Sequence, residues 1–424
     1  MGSRILSVYA REVFSLRGHP GIEAIVKTED GASGRALATA GLSVGEHEVK
    51  FVYDGGKKWR GLGVTKAVDN VNNVIAPALR GMNATRQREI DDTMIKLDGT
   101  PDKSRLGGNA TASVSAAVLK AAANSLGIPL YQHIGGVNAC ILPVPGAGAY
   151  SGSGRYGGGP GHTGDKPSHE FVCHGFQTFR DASYAAWEVS NEFVSIIREK
   201  YGLWPSSGQF FSNIGIRRGQ IKHDRELWDL MVEAVENTGY KNRVGFQIDV
   251  AAGTYYDKTK QRFIGLFSEE EKTMEDLVEL YKDMVTSYPF MILEDPMDEN
   301  DYEAHALLVK ELGVEIVGDD LFTTNPQRLQ KGIDVGGANC MLLKVNQVGT
   351  ISEAFDATQL AYRHGYGVMP CASRGEGDEM GDYVVGLGTA HMRGGATSNR
   401  LLEIEAELGS RAKFLGKEGL KLRK

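Results

Sequence analysis

The sequence predicts an α/β protein in which a β/α barrel follows a smaller N-terminal α+β capping domain. Three observations carry this expectation. The chain has 424 residues, enough for one further domain beside a barrel of about 250 residues. Its opening stretch reads as strands followed by a helical block, the order of an α+β unit. Beyond that block, four short apolar runs each end in a charged residue: Phe246 to Asp249, Phe290 to Glu294, Ile316 to Asp319 and Met341 to Lys344. They recur at intervals of roughly 25 to 45 residues, room for a strand, a helix and two loops, and this cadence predicts parallel strands closing into a barrel.

In chain order, Ile5 to Phe14 and Ile22 to Thr28 alternate as half-buried strands do, with glycines between them. From about Gly63 to Gly135 the pattern becomes helical, with Ala67, Val71, Val74 and Ile75 at helical spacing. Ala110 to Leu126 is small and apolar, as in a tightly packed helix. Ile141-Leu-Pro-Val-Pro145 reads as a boundary and first barrel strand, which divides the chain into 1–138 and 139–424. The glycine-dense tract Ser151 to Gly161 suits either a flexible linker or a mobile active-site loop. Glu226 to Asn237 predicts a helix with Leu227, Leu230, Met231, Ala234 and Val235 on its buried face.

Composition excludes several classes. With 41% hydrophobic and 24% charged residues the chain is an ordinary globular one. Its 47 basic and 54 acidic residues leave a net charge of −7, which argues against nucleic acid as the main partner. No Lys/Arg block marks a membrane surface, and no apolar run of about 18 residues predicts a transmembrane helix. The four cysteines form no CxxC pair, and the N-terminus lacks the pattern of a signal peptide. A cytoplasmic protein is expected.

Side chains at corresponding strand ends converge on one mouth of a barrel. Asp249, Glu294 and Asp319 would meet there, and three carboxylates without a counter-charge repel strongly. A divalent cation with hard oxygen ligands resolves this, and Mg2+ is the common choice. Lys344 beside it would have its pKa lowered towards that of a general base. A single acid at a strand end is usually a helix cap or a solvated loop group. The set of four, at this spacing, favours the metal reading.

Several segments resemble the enolase (phosphopyruvate hydratase) family. They are Phe246-Gln-Ile-Asp-Val-Ala-Ala252, Leu293-Glu-Asp-Pro296, Val317-Gly-Asp-Asp-Leu321 and Leu343-Lys-Val-Asn-Gln347 in the barrel. Gly41-Leu-Ser-Val-Gly-Glu-His-Glu48, Leu97-Asp-Gly-Thr-Pro101, Leu106-Gly-Gly-Asn109 and Leu142-Pro-Val-Pro145 carry the likeness through the rest. The resemblance implies Asp249, Glu294 and Asp319 as Mg2+ ligands and Lys344 as the base. It implies Ser43 as a lid serine serving a second Mg2+ and the substrate, and Glu170 beside a departing hydroxyl. The implied reaction is loss of water from 2-phosphoglycerate or a close phosphorylated hydroxy-acid through an enolate. It also implies a homodimer built through the N-terminal domain, with Arg17 between subunits. The segment Ala40 to Glu48 and the Ser151 to Gly161 tract would close over the substrate.

The sequence departs from the family pattern on the substrate side. A gapless alignment puts Ile214 at the position of the family's acidic proton donor. The family's His-Arg-Ser-Gly-Glu becomes Ala372-Ser373-Arg374-Gly-Glu376. Its carboxylate-gripping lysine becomes Arg393, still cationic but a planar fork. The loop before Glu170 is longer than usual, so either His162 or Arg155 could line the site. Arg217 and Arg218 are either a solvated face or further anion contacts. Ser43, His162, Arg155, Ser373, Arg374 and Arg393 are thus the expected substrate contacts. Two alternatives stay open. One is a divergent relative with another phosphorylated or phosphono acid substrate, such as carboxyphosphonoenolpyruvate synthase. The other is a non-catalytic protein.

Overall fold

The structure is a computed structural model that describes residues 3–15, 18–39, 44–152, 155–156, 166–202, 214–216, 218–371, 377 and 379–423. Strands β1 (Ile5–Phe14), β2 (Pro20–Thr28) and β3 (Ser33–Ala38) form an antiparallel sheet in that order. Ile22, Ala24 and Val26 are fully buried on one face of β2, as the alternation requires. That face packs on the helix Gly108–Leu126, whose small residues permit close approach. At Gly34 of β3 a Cβ would stand 2.2 Å from the Ala117 carbonyl oxygen. The sequence puts glycine where strand and helix backbones nearly touch. Ala67, Val71 and Ile75 are buried along one helical face, with Val71–Ile75 wound as a π-helical segment.

Eight strands form the barrel. They are β4 (Val144–Ser151), β5 (Ser168–Cys173), β6 (Val244–Asp249), β7 (Phe290–Glu294), β8 (Glu315–Gly318), β9 (Cys340–Leu343), β10 (Gly367–Pro370) and β11 (His391–Gly395). The sheet order is β10-β9-β8-β7-β6-β5-β4-β11. A parallel bridge between Cys371 and Arg393 draws β10 to β11 and nearly closes the ring. The strands β6 to β9 predicted from the sequence are parallel and fully buried.

One strand departs from the expected parallel pattern. β5 runs antiparallel to both β4 and β6. Antiparallel neighbours need no helical crossover, and β5 follows β4 directly in the ring. The inversion brings its first residue, Ser168, level with Asp249 at the end of β6. Outside the barrel, the helix Arg225–Asn237 buries all five predicted residues together with Trp228. Trp228 meets Phe267, Tyr288 and Phe290 edge to face at centroid separations of 5.3–5.8 Å. Among the described residues no helix is long and apolar enough to cross a membrane.

The N-terminal region grips the barrel next to its mouth. Val345, Val348 and Ile351, just past β9, belong to the apolar core of the N-terminal region. The Val49 N–H donates to the Gln347 carbonyl at 2.9 Å, and Lys103 pairs with Glu353 at 2.9 Å.

Candidate active site

Asp249 and Glu294 are the last residues of β6 and β7 and lie side by side in register. Asp319 follows β8, and Lys344 follows β9. All four are buried at the mouth where these parallel strands end, none more than 5% exposed. Lys344 Nζ lies 2.5 Å from Asp319 Oδ2. Gln347 Nε2 donates to Asp319 Oδ1 at 2.7 Å, and Gln347 Oε1 accepts from the Thr324 hydroxyl at 2.9 Å. That hydroxyl oxygen accepts the Lys344 backbone N–H at 2.9 Å. Burial opposes ionisation of Asp319, yet Lys344 holds its carboxyl well below the ordinary range.

Arg393, in β11, spans the other carboxylates. Its Nη1 contacts Asp249 and lies 3.1 Å from Glu294 Oε1, while its Nε lies 3.6 Å from Glu170 Oε1. Burial raises the pKa of Glu294 despite this cation. Glu170 sits within inverted β5 opposite Gly148 and Gln247. Its Oε2 accepts the Gly394 N–H at 3.0 Å. Burial raises its pKa against the pull of Arg393 and that N–H. Lys166, just before β5, contacts Asp249, and burial with the nearby Arg393 charge lowers its pKa to about 8.

The backbone beyond the strand ends is also shaped for the site. Ala251 and Asp295 adopt φ of 45° and 41°, a region that non-glycine residues rarely occupy. Asp295 accepts the backbone N–H groups of Asp319 at 3.1 Å and Asp320 at 2.7 Å. Carboxylate oxygens of Asp295, Asp319 and Asp320 lie within 4.8 Å of one another, a group that could hold a metal ion. Burial, with the adjacent Asp319 charge, pushes Asp320 up to about 7.

The donor set fits Mg2+. Every candidate ligand here is a carboxylate oxygen, the hard donor that this ion requires. Asp249 Oδ2 is buried and accepts no well-directed hydrogen bond, its cationic neighbours notwithstanding. Asp295 is the less available carboxylate because backbone N–H groups already engage both of its oxygens.

Of the other expected contacts, Arg155 falls elsewhere. Arg155 is buried and bidentate on Asp224, at 3.1 and 2.8 Å. Tyr156 donates to the same carboxylate at 2.6 Å, and none of the described contacts of Arg155 reaches the carboxylates at the mouth. Arg218 is exposed. Ser43, His162, Ser373 and Arg374 lie outside the described residues, as do Arg17 and Arg217. Ile214 is described through its backbone, which pairs with Tyr150. The far end of the predicted lid segment is placed near the mouth: His47 bonds Asn300 at 2.9 Å and the Glu46 N–H donates to Glu299 at 3.3 Å. Sequence reasoning missed Lys166, Gln347, Asp295 and Asp320.

Comparison with known proteins agrees with this geometry. Residues 139–423 match the family described as "Enolase, C-terminal TIM barrel domain", and residues 5–134 match "Enolase, N-terminal domain". The chain is 42% identical to the enolase of Methanopyrus kandleri, over 97% of each chain. It is 41% identical to that of Thermococcus kodakarensis, over 98% of this chain and 97% of the relative. Against the enolase of Methanocaldococcus jannaschii it is 41% identical over 97% of each. A buried lysine–carboxylate pair at the mouth of a barrel with one inverted strand, matched by likeness along nearly the whole chain, places it in the enolase family as a hydro-lyase.

Proposed function

We propose that the chain removes water from 2-phosphoglycerate, or a close phosphorylated hydroxy-acid, to give phosphoenolpyruvate or its analogue. The observation that carries this reading is Lys344 Nζ held 2.5 Å from Asp319 beside the Asp249 and Glu294 carboxylates. Asp249, Glu294 and Asp319 would hold Mg2+, which supplies the positive charge that makes the proton α to the substrate carboxylate removable. Lys344 Nζ takes that proton. The electron pair left on the α-carbon forms the double bond as the β-carbon–oxygen bond breaks, and the hydroxyl leaves as water with a proton from a buried acid. Glu170 suits that role, because burial disposes its carboxyl to keep a proton. Arg393 supplies positive charge for the substrate's anionic groups. His162, Ser43, Ser373 and Arg374 stand as further contacts proposed from the resemblance.

The reading extends to assembly and location. Exposed Phe14, stacked on Trp59 at 5.8 Å, offers an apolar face on the N-terminal sheet for a second copy. Four free cysteines suit a reducing compartment such as the cytoplasm. The direct test is the full-length protein with 2-phosphoglycerate and Mg2+, following phosphoenolpyruvate by its ultraviolet absorbance. Formation of product that stops on chelation is expected. No product from this substrate at saturating Mg2+ would overturn the substrate assignment.

A further inference from the structure

The barrel end opposite the carboxylates holds a second cluster of ligand-type side chains. Glu315 opens β8, Cys340 opens β9 and His391 opens β11. Because these strands run parallel to one another around the ring, their first residues gather at the mouth remote from Lys344. They are sealed from solvent, at 0%, 0% and 2% exposure. One ligand atom from each lies within 4.8 Å of the other two. His391 Nε2 is 2.5 Å from Glu315 Oε1 and 3.9 Å from Cys340 Sγ.

A buried Glu–His ion pair engages two of these residues, and the Cys340 thiol hydrogen-bonds to the same Glu315 carboxylate, so one carboxylate serves both neighbours. The other contacts of Cys340 Sγ are long, 3.8 Å to the Met341 carbonyl and 3.9 Å to His391. A single imidazole nitrogen offers one proton or one lone pair and cannot serve a carboxylate and a thiol together. A cation is a partner to which all three atoms can be ligands at once.

We propose that Glu315, Cys340 and His391 form a binding site for a transition-metal ion of the Zn2+ class that ties β8, β9 and β11 together. Thiolate, imidazole and carboxylate are ligands that Zn2+ takes, whereas Mg2+ prefers oxygen alone. Tetrahedral coordination asks for about 3.3 Å between nitrogen and oxygen and about 3.5 Å between nitrogen and sulfur. His391 and Glu315 must therefore part by about 0.8 Å, and Cys340 must close by about 0.4 Å. The Met341 carbonyl, 3.8 Å from Sγ, is at hand for a fourth position. Carboxylate and thiolate together neutralise the ion. Binding releases the thiol proton, which burial and the Glu315 charge hold firmly. The C-terminal segment covers the site, with the Lys421 N–H donating to Glu315 Oε2 at 2.7 Å and Leu420 in the same core as Cys340. The ion therefore enters as the chain folds or when that segment lifts.

The test uses full-length protein made in cobalt-supplemented medium and purified in excess Mg2+, which keeps the all-oxygen site from reporting. About one cobalt per chain is expected, with thiolate-to-cobalt charge-transfer absorption in the near ultraviolet. X-ray absorption of the Zn2+ form should give one sulfur at about 2.3 Å. Cys340→Ala and Cys340→Ser should both lose the charge-transfer band, and Cys173→Ala, also at a buried cysteine, should keep it. Wild-type protein without the band or the sulfur shell would overturn the proposal and leave a buried ion pair. A band that survives in either Cys340 variant would overturn it as well. The wild-type X-ray measurement decides the matter even if neither variant folds.

Discussion

Gly146 in β4 leaves the space in which Glu170 sits, and its replacement by alanine tests the assignment of Glu170. A Cβ there would stand 2.2 Å from Glu170 Oε2 and 2.9 Å from the Gly394 nitrogen. Carbon and oxygen meet comfortably at about 3.3 Å, so the carboxylate must retreat by about 1.1 Å. The retreat breaks its 3.0 Å bond from the Gly394 N–H. Leaving a buried hydrogen-bonding group unsatisfied costs about 1–3 kcal/mol, and overpacking costs about 1–3 kcal/mol. One movement causes both effects, so they do not add, and about 2–3 kcal/mol of destabilisation is expected. A misplacement of about 1 Å at a reacting group costs on the order of 10²-fold in rate, and kcat should carry that loss. Adding Glu170→Asp shortens the side chain by one methylene and relieves the clash. The double variant should regain at least half the lost stability while staying inactive, because the shorter acid no longer reaches. Urea unfolding at unchanged slope reads the first effect, and initial rates of phosphoenolpyruvate formation read the second. A Gly146→Ala protein with wild-type kcat, or a double variant no more stable than the single one, would refute this reasoning.

Other perturbations separate chemistry from architecture. Lys344→Ala should lower both turnover and solvent exchange of the substrate α-proton by about 10²-fold or more, while calorimetry still detects Mg2+ binding; exchange at the wild-type rate would remove Lys344 from the mechanism. His174 and His223 have pKa values lowered to about 4, by burial first, and by Lys417 beside one and Arg225 and Lys272 beside the other. Their unfolded pKa is about 6.5, so below that pH the unfolded chain binds protons that the native chain does not. Stability should fall as the pH drops from about 6.5 towards 4, by on the order of 2 kcal/mol at pH 5 after allowance for partial exposure; a His174→Gln, His223→Gln protein with an equally steep decline would show that other groups cause it. Sedimentation should give a dimer, and a 46.0 kDa species at every concentration would contradict the proposed assembly.

The strand ends were legible because each apolar run stops at a charge, and a barrel brings such stops to one mouth. Glu294 and Asp319 each have an acidic neighbour, in Leu293-Glu-Asp-Pro296 and Gly318-Asp-Asp-Leu321. That doubling was the available signal for Asp295 and Asp320. Lys166 was hidden because alternation in a strand says nothing of direction, and only the inversion of β5 brings its first end to this mouth. Arg155 was legible as part of a glycine-rich tract, but its partner Asp224 is far along the chain and no local pattern links them. Glu315, Cys340 and His391 begin their strands, so attention to strand ends passed over the opposite mouth.

The N-terminal region does more than cover the barrel, because the placement of Lys344 depends on it. Fixing a lysine in one conformation costs about 2 kcal/mol of side-chain entropy, so its setting must be rigid before the substrate arrives. Hydrogen bonds close a ring around it: Lys344 N–H to Thr324, Thr324 to Gln347, Gln347 to Asp319, with Lys344 Nζ completing the circuit. Gln347 lies in the short helix Val345–Val348, and that helix is held from outside the barrel. Val345 and Val348 are buried in the N-terminal core, the Val49 N–H donates to the Gln347 carbonyl, and Lys103 pairs with Glu353 in the helix that follows. Each apolar side chain so buried contributes about 1.5–3 kcal/mol, and the two together exceed the entropy of one lysine. Loosening the N-terminal contacts would therefore free Gln347 first, then Asp319, and leave Lys344, the proposed base, without a fixed direction.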